Sequence, residues 1–515
     1  MPVIRNTVAR MTSGGPHQYA ELRNMIMVRV SDFDKQSAVV SELDRLGFTP
    51  KKLQNAPIIT AEPASKIEDI LNTIKNNTTS TVSNKIDQSI SQIQQARKGG
   101  SEVMSATIPS VAATDALKTY VRNVEGVTRV DFVESLADFG PQNLRVDVSG
   151  ESSIQTESAK SQKYNLEDII NALGIPNVWQ NHTRGENAIC AVFDTGFSKD
   201  LFDQSRIIHK YHGGDTQSVW APSEGHGTMT SGAALANTSN GVPFNGVAPD
   251  ADIILIRVTD SKDQIRSDII AHAWDWLLGL NLNKPVVTNH SYGTPLCSGR
   301  PKEAFCDTVQ NDIIKIANSE SGITSVYAAG NEARQCGHRP SGLTNAVTGT
   351  NSLEQLIAVG AMMSNGKEIQ IYSSHGRGDC APIADPKPNV SVRIPKYVYW
   401  GGKNGYEIKD ESYGIMGSTA GTSHASPLIA GMVTLMQSEA VRKYGKGTQS
   451  SQSRSQTRGP RGAMQTEEIK YVLEQASSPP HITTVNKIGF GLTNKGFDAR
   501  FGWGEPDLSK AMEMI

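Results

Sequence analysis

The chain has 515 residues, 37% hydrophobic and 20% charged, and a formal net charge of -2. That near-neutral balance is the composition of a globular protein. It argues against a general nucleic-acid or membrane-surface role, and no apolar stretch approaches the length of a membrane span. Five cysteines are too few to scaffold so long a chain with disulfides, and its length allows about two to four domains.

Residues 1–22 read as a flexible polar tail whose opening, M-P-V-I-R-N-T-V-A-R-M-T-S-G-G-P, lacks the apolar core of a secretory signal. The expected location is therefore cytoplasmic, or outside the cell by a route without a recognisable signal peptide. An apolar-rich strand runs from Asn24 to Val30, followed by Val39, Val40, Leu43 and Leu46 at helical spacing up to Gly47. A second strand is expected between Thr49 and Ala61. Ser65 with Glu68 makes a candidate capping box ahead of Ile67, Ile70, Leu71 and Ile74. Residues 76–101, rich in Asn, Thr, Ser and Gln, read as an inserted linker or a solvated helix. A strand over Ser105–Pro109, a helix over Ala112–Val124 and a strand over Val127–Val133 complete a small α+β unit, residues 23–146, compatible with a ferredoxin-like sandwich.

Residues 147–164 have the composition of an exposed linker, and short helices follow over Asn165–Gln180, with Trp179 packing beneath the first core strand. From there apolar strands alternate with helical segments: strands at 188–193, 253–258, 285–289, 324–329 and 356–361, helices from about 226, over 264–278 and over 304–318. Such alternation predicts an α/β fold, a mostly parallel sheet with helices on both faces. Residues 442–463, low in complexity and carrying only positive charge, read as a mobile basic loop.

Functional groups of parallel sheets gather beyond the carboxyl ends of strands, and Asp194, Ser291 and Asn331 all fall there. Ser423 stands in G-T-S-H-A-S-P at the head of a long apolar helix, whose unpaired N–H groups and dipole favour an anion beside the hydroxyl. His226 lies in Gly-His-Gly-Thr. Each residue has an ordinary reading taken singly: Ser423 an N-cap, Asp194 with Thr195 and Gly196 a strand-to-turn signal, Asn331 a turn residue, His226 one of 11 histidines. The order Asp, His, Ser on suitable elements points instead to nucleophilic hydrolysis.

D-T-G at Asp194, H-G-T at His226, A-A-G-N-E carrying Asn331, G-T-S-x-A-x-P at Ser423 and the closing F-G-W-G-E-P-D-L-S-K-A resemble the subtilisin-like serine protease family over roughly residues 165–515. The resemblance implies a serine endopeptidase with Ser423 as nucleophile, His226 as base, Asp194 as orienting acid and Asn331 as oxyanion donor. Protein or peptide substrate is then expected to add as a strand along Ser291, Tyr292 and Gly293 and to pass beside Ala328, Ala329 and Gly330. By the same likeness the N-terminal unit is a self-cleaved prodomain and intramolecular inhibitor, cut near residues 147–164. The alternative is a latent or inactive binding module that keeps this domain. No cofactor is required; some relatives bind structural calcium, for which no ligand set can be matched here. A Ser-Glu-Asp enzyme using Glu224 is disfavoured by Asn331 and by the Gly-His-Gly-Thr setting. His424, where many relatives carry Met, is expected to serve packing or a local hydrogen bond. Cys190 reads as a buried hydrophobe, while Cys297 and Cys306 would close a short loop in an oxidising compartment and stay free thiols in the cytosol.

Overall fold

The computed structural model describes residues 21–98, 111–138, 165–221, 225–242, 244–293, 306–333, 347, 349–370, 372–375, 380, 387–395, 397–399, 416–418, 421–445, 462–478, 498 and 500–515. The expectations for the 147–164 linker, the 105–109 strand, Glu224 and Cys297 lie outside these residues.

The N-terminal elements are β1 (Glu21–Val30), α1 (Gln36–Arg45), β2 (Phe48–Lys52), β3 (Ile58–Pro63), α2 (Ile67–Lys75), α3 (Ser80–Lys98), α4 (Val111–Arg122) and β4 (Val127–Asp138). The strands form an antiparallel sheet in the order β4-β1-β3-β2, as a βαββαβ passage gives. Period-two alternation sorts the side chains. Ile26, Val28, Ile59, Val130 and Phe132 pack against Val39, Leu43, Ile70, Leu71, Leu117 and Val121 of the helices. Met27, Ile58 and Val133, on the other face, join a different core.

Three expectations need correction here. Glu21 and Leu22, assigned to a tail, belong to β1. The single strand over 49–61 is two, β2 and β3, folded back on each other about the Gln54–Pro57 turn. Ser65 does not cap α2: its N–H, like that of Ala64, is taken by the Gly47 carbonyl, and Lys66 becomes the N-cap residue without a side-chain cap. Of the two readings of residues 76–101, a helix, α3, is the one found.

The second unit holds α5 (Leu166–Ala172), α6 (Ile175–Asn181), β5 (Ile189–Asp194), β6 (Ile207–His212), α7 (Gly225–Leu235), β7 (Asp252–Arg257), β8 (Ile265–Arg266), α8 (Ser267–Leu278), β9 (Val286–His290), β10 (Tyr292–Gly293), α9 (Val309–Ser319), β11 (Thr324–Ala328), β12 (Ile357–Met362), β13 (Val390–Arg393), α10 (Ala425–Tyr444), α11 (Thr466–Ala476) and α12 (Leu508–Met514). Seven strands are parallel, in the order β13-β12-β11-β9-β5-β7-β6. Each face is sealed by helices. Cys190 and Val192 of β5 pack with α10, while Ile189, Ala191 and Phe193 pack with α8 and α9. From Ala425 to Ala440 every residue of α10 is buried, which makes it the central helix and explains its continuous apolar sequence. The helix carries residues 442–444 of the expected basic loop; residues 446–461 lie outside the description.

Two strands of the parallel sheet were not anticipated. β6 (I-I-H-K-Y-H) is an edge strand with alternating exposure, and polar residues mask its signal. β13 (V-S-V-R) is the opposite edge and too short to stand out. Cys306 is joined to Cys380, across 74 residues, rather than to Cys297, because the chain at 380 returns to the start of α9. Cys190 is a buried free thiol, as its strand position suggests.

The N-terminal sheet lies on α8 and α9. Met27, Leu53, Ala56, Ile58, Val133 and Leu136 share one apolar cluster with Ile269, Trp274 and Ile313. Polar contacts rim it: the Asp275 carboxylate accepts from the backbone N–H groups of Gln54 (2.9 Å) and Asn55 (2.6 Å), and Asp131 accepts from Val309 N (2.8 Å) at the open N-terminus of α9.

Candidate active site

Asp194 ends β5, buried with the strand that delivers it. Its Oδ1 accepts from Thr195 N (2.7 Å) and lies 2.6 Å from Nδ1 of His226, while Oδ2 accepts from Thr230 Oγ1 (2.8 Å). A carboxylate only accepts, so Nδ1 of His226 carries the proton and Nε2 is the acceptor of the neutral ring. His226 occupies the first turn of α7, and Thr230 lies one turn further on the same face. The close approach of that helix to β5 depends on Gly227. A Cβ there would sit 2.2 Å from Gly196 O and 3.1 Å from Asp194 Cβ.

Ser423 is fully buried in a 3-10 turn, Thr422–His424, that leads into α10. α7, which carries His226, packs against both this turn and α10. In this state the Ser423 hydroxyl donates to the Ser291 carbonyl (3.1 Å). Ser291 Oγ in turn bonds Ser426 Oγ (2.8 Å) and donates to Ser423 O (3.3 Å).

Asn331 follows β11 and is buried. Its Oδ1 accepts from Thr422 N (2.8 Å) and Thr422 Oγ1 (3.0 Å), so the oxygen half of the amide is committed to the turn that carries Ser423. Its backbone N–H donates to Glu332 Oε2 (2.8 Å). Burial pushes the Glu332 carboxyl up to about 7, opposed by the N–H groups of Asn331 and Glu332 and by the Ser374 hydroxyl. His424 is buried and packed: burial first, then charge on His226, brings its imidazole down to about 3, so it is neutral in ordinary buffers.

Tyr292 and Gly293 are already paired, antiparallel, with Asp138 and Ala137 at the end of β4. Ser135 and Leu136 pair with Arg266 and Ile265 of β8, so the end of β4 runs as a middle strand between β8 and β10. The Tyr292 side chain points inward, its hydroxyl 2.7 Å from Nδ1 of His290 and its ring beside Tyr327. It is a core aromatic. Ala328 ends β11, paired with Val359, Ala329 N still donates to Val359 O (2.9 Å), and Gly330 N donates to Thr422 Oγ1 (3.1 Å).

Among the described residues no group of three or more His, Cys, Asp or Glu is arranged to hold a metal ion, and no helix is long and apolar enough to cross a membrane. Sequence reasoning overlooked Thr230 and Asn351. Thr230, four residues after His226 on a helix, was within reach of a spacing argument. Asn351, in a turn before β12, donates to the carbonyls of Tyr292 and Ala328, and no local pattern marks it.

The model of the subtilase family matches residues 185–504. The chain is 25% identical over 282 residues to the major intracellular serine protease of Bacillus subtilis (strain 168), covering 53% of this chain and 75% of that protein. To subtilisin E of the same organism it is 27% identical over 297 residues, covering 56% of this chain and 64% of the other. Fervidolysin from Fervidobacterium pennivorans superposes with a TM-score of 0.53 at 17% identity, covering 97% of this chain and 62% of that one. The CspB protease of Clostridium perfringens gives 0.51 at 15% identity, covering 68% and 97%. At those identities the two structures share the fold. The family match, spanning well over half the chain, carries more: this protein belongs to the subtilase family of serine endopeptidases.

Proposed function

We propose that the chain hydrolyses peptide bonds through Ser423, with His226 as base and then acid, Asp194 as its orienting carboxylate, and Asn331 with the Ser423 N–H as oxyanion donors. The observation that carries this reading is the convergence of the Asp194–His226 pair, the Ser423 turn and Asn331 at the carboxyl end of one parallel sheet. A free alcohol is hardly ionised at neutral pH, so the hydroxyl must exchange the Ser291 carbonyl for Nε2 of His226 as it attacks. The proton moves to Nε2 while the Cα-side carbonyl carbon gains the Ser423 oxygen. Asp194, held by Thr195 and Thr230, stabilises the imidazolium without taking its proton. Thr422 holds the amide oxygen of Asn331, and on this reading the NH2 half of the same amide donates to the tetrahedral oxyanion. His226 then protonates the leaving amine, and water repeats the sequence on the acyl-enzyme. This chemistry needs no cofactor.

The N-terminal sheet is, on the same reading, an intramolecular inhibitor removed by self-cleavage. A peptide entering as a strand along Tyr292–Gly293 meets β4 already paired there. That occupancy also favours the second reading, a latent module whose domain is retained until another protease removes it. The Cys306–Cys380 bond supports the exported alternative for location, since such bonds persist in oxidising compartments.

A fluorophosphonate probe is expected to label Ser423 once the N-terminal unit has gone, and Ser423→Ala to lose about a millionfold in turnover. N-terminal sequencing of purified wild type and Ser423→Ala separates the readings. Processing in the wild type alone means self-cleavage; processing in neither means a retained domain. A folded, processed wild type that the probe does not label ends the hydrolase reading.

A further inference from the structure

The parallel ladder between β9 and β11 has its last rung at His290 and Tyr327. Past it the two chains part, one into Ser291–Gly293 and the other into Ala328–Asn331. The Asn351 NH2 takes the place of the next rung, one amide nitrogen donating to both Tyr292 O (3.0 Å) and Ala328 O (2.7 Å). Asn351 is 2% exposed and sits in a 3-10 turn, Gly349–Ser352, that is itself tied down on both sides. Thr350 Oγ1 donates to Asn311 Oδ1 of α9 (2.6 Å), and Ser352 Oγ accepts from Cys380 N (2.9 Å). Cys380 is bonded to Cys306, whose carbonyl accepts from Asn311 Nδ2 (3.1 Å). The bridge is thus fixed to the body of the domain, independently of the two segments it joins.

A second tie closes the other end of the same gap. Gly330 N and Asn331 Oδ1 are held by Thr422, and the Ser291 carbonyl by the Ser423 hydroxyl. The opening between Ser291–Gly293 and Ala328–Asn331 is therefore a frame, closed on one side by the nucleophile turn and on the other by a single side-chain amide.

We propose that Asn351 is a specificity-determining positioning residue. By spanning two carbonyls it fixes the separation of the segments between which the substrate side chain on the acyl side of the scissile bond enters, and so sets the size of side chain admitted. This rests on the reading that those segments flank the peptide. Without the amide the two carbonyl groups lose their shared donor and the frame widens and deepens, while Asp194, His226 and Ser423 keep partners that do not involve Asn351.

The test uses protein expressed as the full chain and a series of chromogenic tetrapeptide amides differing only in the acyl-side residue: Ala, Leu or Phe. In Asn351→Ala the ratio of kcat/KM for Phe over Ala is expected to rise about tenfold over wild type, a change on the scale of one or two methylenes of fit, carried mainly by KM. Asn351→Asp, which keeps the shape but lacks both N–H donors, is expected to move the ratio as well. A uniform loss across the series with the ratio unchanged overturns the proposal, since a merely structural residue would act that way. Should Asn351→Ala fail to fold, the isosteric Asn351→Asp decides alone. Failure of the parent reading looks different: wild-type protein, freed of its N-terminal unit, is then not labelled at Ser423 by the fluorophosphonate.

Discussion

The two large sheets of this molecule are both covered on both faces, but by different means. The parallel sheet is sealed by helices of its own unit, with α10 on one side and α8 and α9 on the other. The antiparallel sheet covers one face with α1, α2, α3 and α4, and leaves Met27, Ile58 and Val133 to be covered by α8 and α9 of its neighbour. The first arrangement is self-sufficient. The second closes only while the two units are together, and the same strand that supplies Val133 runs on to fill the groove between β8 and β10. Burial of a shared face and occupation of the cleft are thus one event, so a change that loosens the former should empty the latter.

The sharpest way to break the comparison is to place the same charge in each sheet. Val192→Asp puts an unpaired carboxylate in the sealed core of β5, where every residue is buried, and should cost more than about 5 kcal/mol and abolish folding of the catalytic unit. Val133→Asp puts it on the shared face. There the strand can leave its neighbour and hydrate the charge, so the expected cost is about 3 kcal/mol of docking, with each sheet still formed. Circular dichroism should separate the two variants, and limited proteolysis of Ser423→Ala/Val133→Asp should cut after β4 faster than in Ser423→Ala. Equal loss of helix signal in both variants would show that the two sheets are one cooperative unit.

The same contrast explains what the sequence made legible. β5 announces itself because strands buried on both faces read as unbroken apolar runs, and Asp194 is at the end of one. The motif residues stand out through local patterns: a glycine beside His226, a helix head at Ser423, a strand end at Asn331. β4 was read only as far as Val133, whereas it continues to Asp138, because its last residues pair with β8 and β10 rather than with a sheet of their own. The capping box at Ser65 failed because a distant carbonyl, Gly47 O, claimed its N–H. Asn351 and the Cys306–Cys380 bond escaped for the same reason, since their partners are set by how the chain returns and not by anything nearby in sequence.

The smallest of these effects sharpens the picture inside the sealed unit. Glu332 is a buried carboxyl at the carboxyl end of the parallel sheet, and it holds the N–H of Asn331 while Ser374 donates to it. Burial raises it from 4.5 to about 7. Between those values the folded protein binds a proton that the unfolded chain has released, so stability falls as pH rises through this window and the loss is complete above 7. At 1.36 kcal/mol per unit the loss is on the order of 3 kcal/mol. Glu332→Gln keeps a carbonyl oxygen for Asn331 N and cannot ionise. Its urea midpoint, compared with wild type, should therefore gain between pH 5 and pH 8, with the m-value unchanged. If the two proteins instead lose stability in parallel over that range, the carboxylate is being met by a donor that offsets its burial, and Asn331 is held by a charged group at working pH rather than by a neutral acid.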